Sequence, residues 1–413
     1  MRSLAEKLFD ELRRQSFDGV GVTRECFSPA ETAAQDLIAS VAREHGLPVE
    51  RDRVGNLIVT LEGENREAPF IATGSHLDSV PRGGNYDGAA GVIAGLLALI
   101  SIKASGAKHP RTVRLMALRG EESAWFGKSW IGSHALLGRL KPGDLALRRF
   151  DTGRALRDYL CDVGADLPAI ERGEVLLAPS HVAAFIETHI EQGPVLEAKG
   201  LPLGVVTGIH GNLRHMNVVC RGQAAHAGAT PRFLRHDALV ATADLVMRMD
   251  ACWARWVEDG KQVTLTHGMV GTDAKEHAVS RVPGEVRFSV EIRADKSDAL
   301  HEFHSLLKRE AEKVEKQRGV TFAFDQAIVN EPAPMHPRWI ERLDELCALA
   351  GVPHEHLASG AGHDAAVFAH AGIPTAMLFI RNARGSHNPD EGMDIGDLML
   401  GVQVLAEALI SEP

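Results

Sequence analysis

Residues 70–100, FIATGSHLDSVPRGGNYDGAAGVIAGLLALI, decide the fold of this chain. The run FIATGSHL is typical of a buried strand that ends in polar residues, and GVIAGLLALI is typical of an apolar helix. A glycine-rich turn, PRGGNYDG, separates the two. Strands that alternate with helices in this way predict an α/β layer with a largely parallel sheet, whose functional residues collect at the carboxyl ends of the strands.

The same alternation extends in both directions from this stretch. NLIVTLEG and TVRLMALRGEE predict further strands of the sheet, and PTAMLFIR predicts another near the end of the chain. Between residues 209 and 328, strands that alternate by twos are linked to long helices, which is typical of an antiparallel sheet. We therefore predict an α/β domain with a mixed, mostly parallel sheet from residues 1–208 and 329–413, interrupted by a smaller α+β domain from residues 209–328.

Composition and charge exclude several classes of protein. The 413 residues include 45 lysines and arginines against 55 aspartates and glutamates, a formal net charge of −10, which argues against nucleic-acid binding and against attachment to an anionic membrane surface. The longest apolar stretch, residues 91–100, is too short to span a bilayer. The N-terminal MRSLAEKLFDELRRQ lacks the apolar region of a signal peptide. Five scattered cysteines without a CxxC favour neither disulfides nor a thiolate zinc site, so we expect a cytoplasmic protein.

Side chains of the kind that bind metals stand at the predicted strand ends and turns. His76 and Asp78 share one face of a strand, so His76 could bind a metal while Asp78 accepts a hydrogen bond from its other ring nitrogen. Asp87 lies in a glycine-rich turn that exposes its carboxylate, although a helix N-cap would also explain it. Glu121 and Glu122 are adjacent acids, which either form a solvated strand end or have separate roles, one on a metal and one as a proton shuttle.

Two histidines complete this set. His189 and His387 each stand beside turn residues after an apolar strand. Singly, each is typical of an ordinary loop histidine. Taken with His76, Asp87 and one acid of the Glu121–Glu122 pair, they give three imidazoles and two carboxylates near the edge of one sheet, and such a set suits two zinc ions bridged by a carboxylate.

Seven segments together resemble one known family. They are GSHLDSVPRGGNYDGAAGV, RGEES, ETHIEQGPVLE, HAGATP, VPGEVRFSVEIR, SGAGHDA and GSHNPDE. In the same order and over residues 50–400, these are similar to segments of the hydantoinase/carbamoylase amidohydrolases, which belong to the superfamily of di-metal aminoacylases and exopeptidases. The resemblance implies a di-metal exopeptidase-like catalytic domain, with the insert as a lid and dimerisation domain.

The resemblance also implies a ligand set and a general base. It places two divalent metal ions in each chain, zinc first with manganese, cobalt or nickel as alternatives. One metal would be held by His76, Asp87 and His189, and the other by Asp87, Glu122 and His387, with Asp87 as the bridge. Glu121 would be the general base, with Asp78 supporting the catalytic set. Two cations lower the pKa of a bridging water and polarise a carbonyl, and Glu121 could pass that water's proton to the leaving nitrogen.

The remaining candidates concern the substrate. The resemblance implies that His226 stabilises the oxyanion, from the neighbouring subunit of a homodimer, and that Arg293 binds the substrate carboxylate. Without the resemblance, His226 would be interpreted as an ordinary structural histidine, and Arg293 as a solvated arginine at the end of a strand. Asn212 stands where many relatives have glutamine, Ser280 replaces an asparagine that would contact substrate, and His363 would line the pocket.

These features predict a metal-dependent hydrolase of carbon–nitrogen bonds other than peptide bonds. The expected reaction is cleavage of the ureido or amide bond of a small carboxylated substrate, such as an N-carbamoyl-L-amino acid. The alternatives are an allantoate or ureidoglycolate amidohydrolase and an N-acyl amino-acid deacylase or dipeptidase. The histidine of ETHIEQGP argues against the last of these, because peptidase relatives commonly have an acid there. The presence of Glu121 and of all five expected ligands argues against a non-enzymatic ureido-binding protein.

Overall fold

The computed structural model describes residues 1–411 and divides into two compact units. The first consists of Met1–Thr207 and the chain from Pro334 onward, and the second is Gly208–Ala333. The boundaries predicted from the sequence, at residues 209 and 328, lie close to these limits. No helix within residues 1–411 is long and apolar enough to cross a membrane.

The first unit begins with alternating helices and strands. Its elements up to the second unit are α1 (Arg2–Ser16), α2 (Pro29–Glu44), β1 (Val49–Arg51), β2 (Leu57–Leu61), β3 (Phe70–His76), α3 (Ala89–Ser105), β4 (Val113–Leu118), α4 (Ile131–Leu136), α5 (Leu156–Asp162), α6 (Leu167–Glu171), β5 (Val182–Ile190), α7 (Val195–Lys199) and β6 (Leu203–Ile209). Ser28 caps α2 by accepting hydrogen bonds from two backbone amides of its first turn, and a proline follows it.

The second unit is an antiparallel sheet with two long helices. Its elements are β7 (Gly211–Arg221), β8 (Ala225–His226), α8 (Ala238–Glu258), β9 (Val263–Thr266), β10 (Val270–Gly271), β11 (Arg281–Val282), β12 (Glu285–Ala294), α9 (Ser297–Arg318), β13 (Thr321–Ala323) and β14 (Ile328–Asn330). The sheet order is β10-β12-β7-β13, with β14 also paired to β7 and β9 to β12. Both helices contribute apolar side chains to a core shared with β7 and β12, as the alternating pattern predicts.

The chain then returns to the first unit. The last elements are β15 (Ala333–Pro334), α10 (Pro337–Leu349), β16 (His354–Ser359), α11 (Asp364–His370), β17 (Thr375–Ile380), β18 (Asn382–Ala383), β19 (Gly392–Met393) and α12 (Ile395–Leu409). The large sheet has the order β1-β2-β4-β3-β5-β17-β6-β15, with β16 paired to β6. Its four central strands, β4, β3, β5 and β17, are parallel, while β2 and β6 flank them in antiparallel orientation. The predicted mixed sheet with a parallel centre is confirmed.

Helix α3 lies unusually close to this sheet. The helix is apolar all round, and it is buried from Ala89 to Ile100, as expected for a helix enclosed by the core. A Cβ atom at Gly91 would overlap the carbonyl oxygen of Thr188 in β5 and would lie 2.8 Å from the Cβ of Ser75 in β3. The missing side chain therefore lets the start of α3 reach the carboxyl ends of two central strands.

We expect Gly91→Ala to lower the free energy of unfolding by about 3 kcal/mol, the upper end of typical overpacking costs, because the added methyl group meets a backbone carbonyl. Denaturant and thermal unfolding of the purified variant measure this change. Gly143, where a Cβ would meet nothing within 4 Å, supplies the control. Gly143→Ala should shift the free energy of unfolding by less than about 1 kcal/mol. Equal stability of the two variants would contradict the close packing of α3.

Candidate active site

The polar residues expected to act together converge at one edge of the large sheet. His76 is the last residue of β3, His189 lies near the end of β5, and Glu121 and Glu122 follow β4. Parallel strands end at the same edge, so these positions are neighbours by topology. Two turns supply the rest: Asp87 just before α3 and His387 after β17. All six residues belong to the first unit.

Asp87 stands between two groups of side chains. Its Oδ1 atom lies 3.3 Å from Nε2 of His189 and 3.6 Å from Nε2 of His76. Its Oδ2 atom lies 3.2 Å from Nε2 of His387, which is itself 3.5 Å from Oε1 of Glu122. Each oxygen of this carboxylate therefore faces a different set of ligand atoms, and the two sets correspond to the two groups predicted from the sequence.

Hydrogen bonds fix which nitrogen of each buried histidine is free. Nδ1 of His76 lies 2.9 Å from the carbonyl oxygen of Asp78, and Nδ1 of His189 lies 2.8 Å from the carbonyl oxygen of Ile190. A carbonyl can only accept, so both Nδ1 atoms carry a proton, and in the neutral form of each ring the Nε2 atom presents a lone pair. The amide of Gly88, which donates to Nε2 of His189 at 3.2 Å, agrees with this assignment.

The same atoms meet the requirements of a divalent cation. The two Nε2 atoms are 3.4 Å apart, and ligands at about 2.0–2.1 Å from a tetrahedral zinc ion lie roughly 3.3 Å from one another. Oδ1 of Asp87 and Oε1 of Glu122 are buried and have no hydrogen-bond partner among residues 1–411. Lone pairs that face one another without a proton between them are costly unless a cation neutralises them. The residues present therefore fit divalent metal binding.

The charges of the cluster agree with this fit. Burial raises the pKa of Glu122 to about 7, and the negative charge of Asp87 adds to the effect. Burial alone would raise the pKa of Asp87 too, but its contacts with His189, His387 and His76 hold it well below its usual value. The contact with Asp87 raises the pKa of His387 to about 9. Buried negative charge thus attracts positive charge to this point of the molecule.

Asp78 differs in one detail from the sequence prediction. We expected its carboxylate to accept the ring N–H of His76, but its backbone carbonyl does so, and the carboxylate oxygen lies 3.5 Å from that nitrogen. The carboxylate instead accepts the backbone amides of Glu121, at 3.2 Å, and Glu122, at 3.0 Å. The reason is geometric, because the turn after β4 presents two unpaired amides to this fully buried carboxylate.

The two carboxylate oxygens of Glu121 face Trp130 and His76, respectively. Its Oε1 atom accepts a hydrogen bond of 2.7 Å from the indole nitrogen of Trp130, and its Oε2 atom lies 3.9 Å from Nε2 of His76. Burial raises the pKa of Glu121 well above its usual range, against the opposing charge of His76, and the charges of Glu122 and Asp364 add to the rise. A buried carboxyl group with a raised pKa is suited to taking and releasing a proton.

Several residues that support this cluster were missed by the sequence analysis. Gln192 and Ser386 donate hydrogen bonds to Oδ2 of Asp87, at 2.9 and 2.7 Å. Glu391 accepts the backbone amides of Tyr86, at 2.8 Å, and Asp87, at 3.1 Å. The segments IEQGP and GSHNPDE contain all three supporting side chains, so their positions were visible, but their partners lie far away in the chain.

His363, which we expected to line the substrate pocket, lies beside the cluster. It is buried, its ring packs edge-on against that of His189 at 4.5 Å, and its Nε2 atom lies 2.9 Å from the hydroxyl of Ser359. Burial and the nearby charge of His189 hold its pKa well below the usual value. Glu187, another residue that the sequence analysis missed, accepts the amide of Ala365 at 2.7 Å and so ties β5 to the SGAGHDA segment.

The other substrate candidates belong to the second unit. His226, on β8, is exposed. The next residue, Ala227, donates its backbone amide to the carbonyl oxygen of Ser280 at 2.7 Å. Arg293 and Asn212 are cross-strand partners in β12 and β7. Arg293 also contacts Glu291 at 3.0 Å, so its guanidinium pairs with an acid of the same strand.

Comparison with known proteins places the chain in a family. The sequence profile of the peptidase family M20/M25/M40 matches residues 72–411. The chain is 33% identical over 408 residues to an N-carbamoyl-L-amino-acid amidohydrolase of Paenarthrobacter aurescens, with 98% of this chain and 96% of the relative covered. It is 33% identical over 387 residues to the allantoate amidohydrolase of Escherichia coli strain K12, with 94% and 92% covered.

A solved structure gives the same answer. The crystal structure of a hydantoinase/carbamoylase family amidase from Burkholderia multivorans superposes with a TM-score of 0.91 at 28% identity, covering 100% of this chain and 98% of the other. The family predicted from the motifs is therefore confirmed. The chain belongs to the peptidase M20/M25/M40 family and, within it, to the hydantoinase/carbamoylase amidohydrolases.

Proposed function

We propose that the protein is a metal-dependent amidohydrolase that cleaves the ureido or amide carbon–nitrogen bond of a small carboxylated substrate, such as an N-carbamoyl-L-amino acid. The observation that carries this proposal is the position of Asp87, whose two oxygens face two separate sets of ligand atoms with Glu121 alongside. Relatives named as N-carbamoyl-L-amino-acid and allantoate amidohydrolases support the reaction class.

The proposal assigns one divalent cation to each set of ligand atoms. His76, Asp87 and His189 would hold the first, and Asp87, Glu122 and His387 the second. Zinc suits this mixture of imidazole and carboxylate, with manganese, cobalt or nickel as alternatives. When bound, such cations lower the pKa of water and polarise a carbonyl oxygen. The protein contributes the placement of the ligands and buries all of them except His387, whose side chain is about half exposed.

Glu121 would move the proton. Hydrolysis of a ureido group takes a proton from the attacking water and must return one to the leaving nitrogen. The carboxylate of Glu121 lies beside the ligands and contacts Trp130 and His76. Such a carboxylate can first take the proton from water and then return it to the leaving nitrogen. The raised pKa of the buried Glu121 favours this role.

Two residues of the second unit would bind the substrate. Nδ1 of His226 accepts the amides of Gly228, at 3.2 Å, and Ala229, at 3.1 Å, so the proton of a neutral ring is on Nε2. An exposed N–H of this kind can stabilise an oxyanion. Arg293 would bind the substrate carboxylate, with Asn212 beside it. His226 and Arg293 are the residues through which a substrate with a terminal acid would be recognised.

The setting of the enzyme is part of the proposal. We propose a cytoplasmic homodimer that acts on a small molecule. All five cysteines are free and four of them are buried, which suits a reducing compartment. The dimer is proposed from the family resemblance and from the exposed position of His226 in the second unit.

Substrate assays should separate the candidate activities. We expect the greatest kcat/KM with N-carbamoyl-L-amino acids, measured as ammonia and free amino acid released after metal loading. Allantoate is the second candidate, since the E. coli relative with that name is equally similar at 33% identity. Ureidoglycolate and N-acetyl amino acids complete the panel, the last assayed by free amine. Turnover of N-acetyl amino acids or dipeptides alone would contradict cleavage of a ureido bond.

Glu121→Gln should lower kcat by about a hundredfold to ten-thousandfold, because an amide cannot take the proton from water. Bound metal, measured by mass spectrometry of dialysed protein, should stay unchanged. Glu44→Gln, on the exposed end of α2, is the matched control and should retain kcat. Near-normal turnover of Glu121→Gln would remove this residue from the mechanism.

Metal content should distinguish the two proposed sites. His387→Ala is expected to reduce bound metal from about two ions to about one per chain, and Asp87→Asn to reduce it below one, because only Asp87 serves both sets. Dialysed protein reconstituted with zinc or manganese is measured by mass spectrometry. His181→Ala, an exposed histidine at the start of β5, is the control. Equal metal content in the His387 and Asp87 variants would contradict a shared carboxylate.

A further inference from the structure

The backbone at Trp130 adopts a conformation that bulky residues rarely take. Its φ of 57° and ψ of 38° lie in the left-handed region, which costs a non-glycine residue about 1 kcal/mol or more. Backbone hydrogen bonds hold it there, because the amides of residues 130–132 donate to the carbonyls of residues 119–121 at 2.8–3.0 Å. The turn that carries Trp130 is thus fastened to the segment that carries Glu121.

The strained backbone aims the indole at one oxygen of Glu121. The Nε1–H donates to Oε1 at 2.7 Å, a short bond typical of a charged acceptor. An indole nitrogen can donate but cannot accept. While this bond exists, one lone pair of Oε1 is occupied by the indole proton, so Oε2 is the favoured oxygen for protonation. Oε2 is the oxygen on the side of His76.

The chain also leaves room for the ring of Trp130. A Cβ atom at Gly362, in the SGAGHDA segment, would overlap Cζ2 of the indole and lie 3.0 Å from Cη2. Gly362 does not have the positive φ that would itself call for glycine. The absence of a side chain there therefore serves the ring, which rests against this segment with Nε1 toward Glu121.

We propose that Trp130 is a positioning residue for Glu121, engaging Oε1 so that Oε2 is the oxygen that takes the proton from water and returns it to the leaving nitrogen. This inference rests on the proposed function, in which Glu121 is the general base. Phenylalanine at position 130 would keep an aromatic ring and the same backbone strain but could not donate the hydrogen bond.

The first test compares Trp130→Phe with the wild-type enzyme, both loaded with zinc and assayed on N-carbamoyl-L-amino acids. We expect kcat to fall about tenfold to hundredfold, from the loss of a hydrogen bond to a charged group, with KM changed less than about threefold and metal content unchanged. Trp253→Phe is the matched control. It loses an indole hydrogen bond of 2.6 Å to the carbonyl of Val263, in the second unit, and should keep kcat.

The second test displaces the ring without changing it. Gly362→Ala should also lower kcat, because its methyl group overlaps the indole. In the Trp130→Phe background the same change should cost much less, because phenylalanine lacks the overlapped atoms, and the double-mutant cycle measures the difference. Equal costs of Gly362→Ala in both backgrounds would overturn the proposal.

The third test observes the hydrogen bond directly and does not need the Trp130 variant to fold well. In protein labelled with ¹⁵N-tryptophan, the indole proton resonance of Trp130 should shift upfield in Glu121→Gln, as expected for a weaker bond to a neutral amide. An unmoved resonance, or full kcat in Trp130→Phe while Glu121→Gln is inactive, would overturn the role of Trp130 alone. Full activity of Glu121→Gln would instead overturn the general base and, with it, this inference.

Discussion

One carboxylate, that of Asp87, determines the arrangement of everything around it. Its two oxygens face different ligand sets at 3.2–3.6 Å, so a shift of the side chain would open both sets at once. Its position depends on the start of α3, which Gly91 allows to approach the sheet, and on Gly88. At Gly88, φ is +64° and a Cβ would lie 2.5 Å from the ring of His76. From the other side Glu391 accepts the amide of Asp87, so the turn is held at both ends.

The concentration of buried acids has a structural cost that the surrounding chain offsets with donors. Asp78 is neutralised in part by two backbone amides. Behind it, the fully buried Glu31 accepts the guanidinium of Arg119 at 2.6 Å and the amide of Gly120 at 3.2 Å. Each hydrogen bond places a donor on an acid that water cannot reach, and each also fastens the turn after β4. The contacts that offset the cost of burying charge thus also make the site rigid.

Much of this could be predicted from the sequence, because the relevant patterns are local. The apolar strand before His76, the glycine turn before α3 and the acids after β4 each stand within a few residues of the element that places them, so topology brings them together. Trp130 and Glu391 could not be found in this way. Their roles depend on contacts with Glu121 and Asp87 that only the folded chain creates, and an isolated tryptophan in a loop has no pattern to mark it. The exchange of roles at Asp78, between its carbonyl and its carboxylate, also depends on tertiary geometry.

The adjacent acids show how the fold gives two like residues different surroundings. Glu121 and Glu122 are neighbours in sequence and both of their amides donate to Asp78, yet their side chains contact different residues. Glu122 meets His387 and leaves Oε1 without a hydrogen-bond partner among the described residues, whereas Glu121 meets the indole of Trp130. An acceptor without a donor is suited to a cation, and a carboxylate with one oxygen occupied by a donor is suited to moving a proton through the other. The difference between ligand and base therefore lies in their partners, since the side chains themselves are chemically identical.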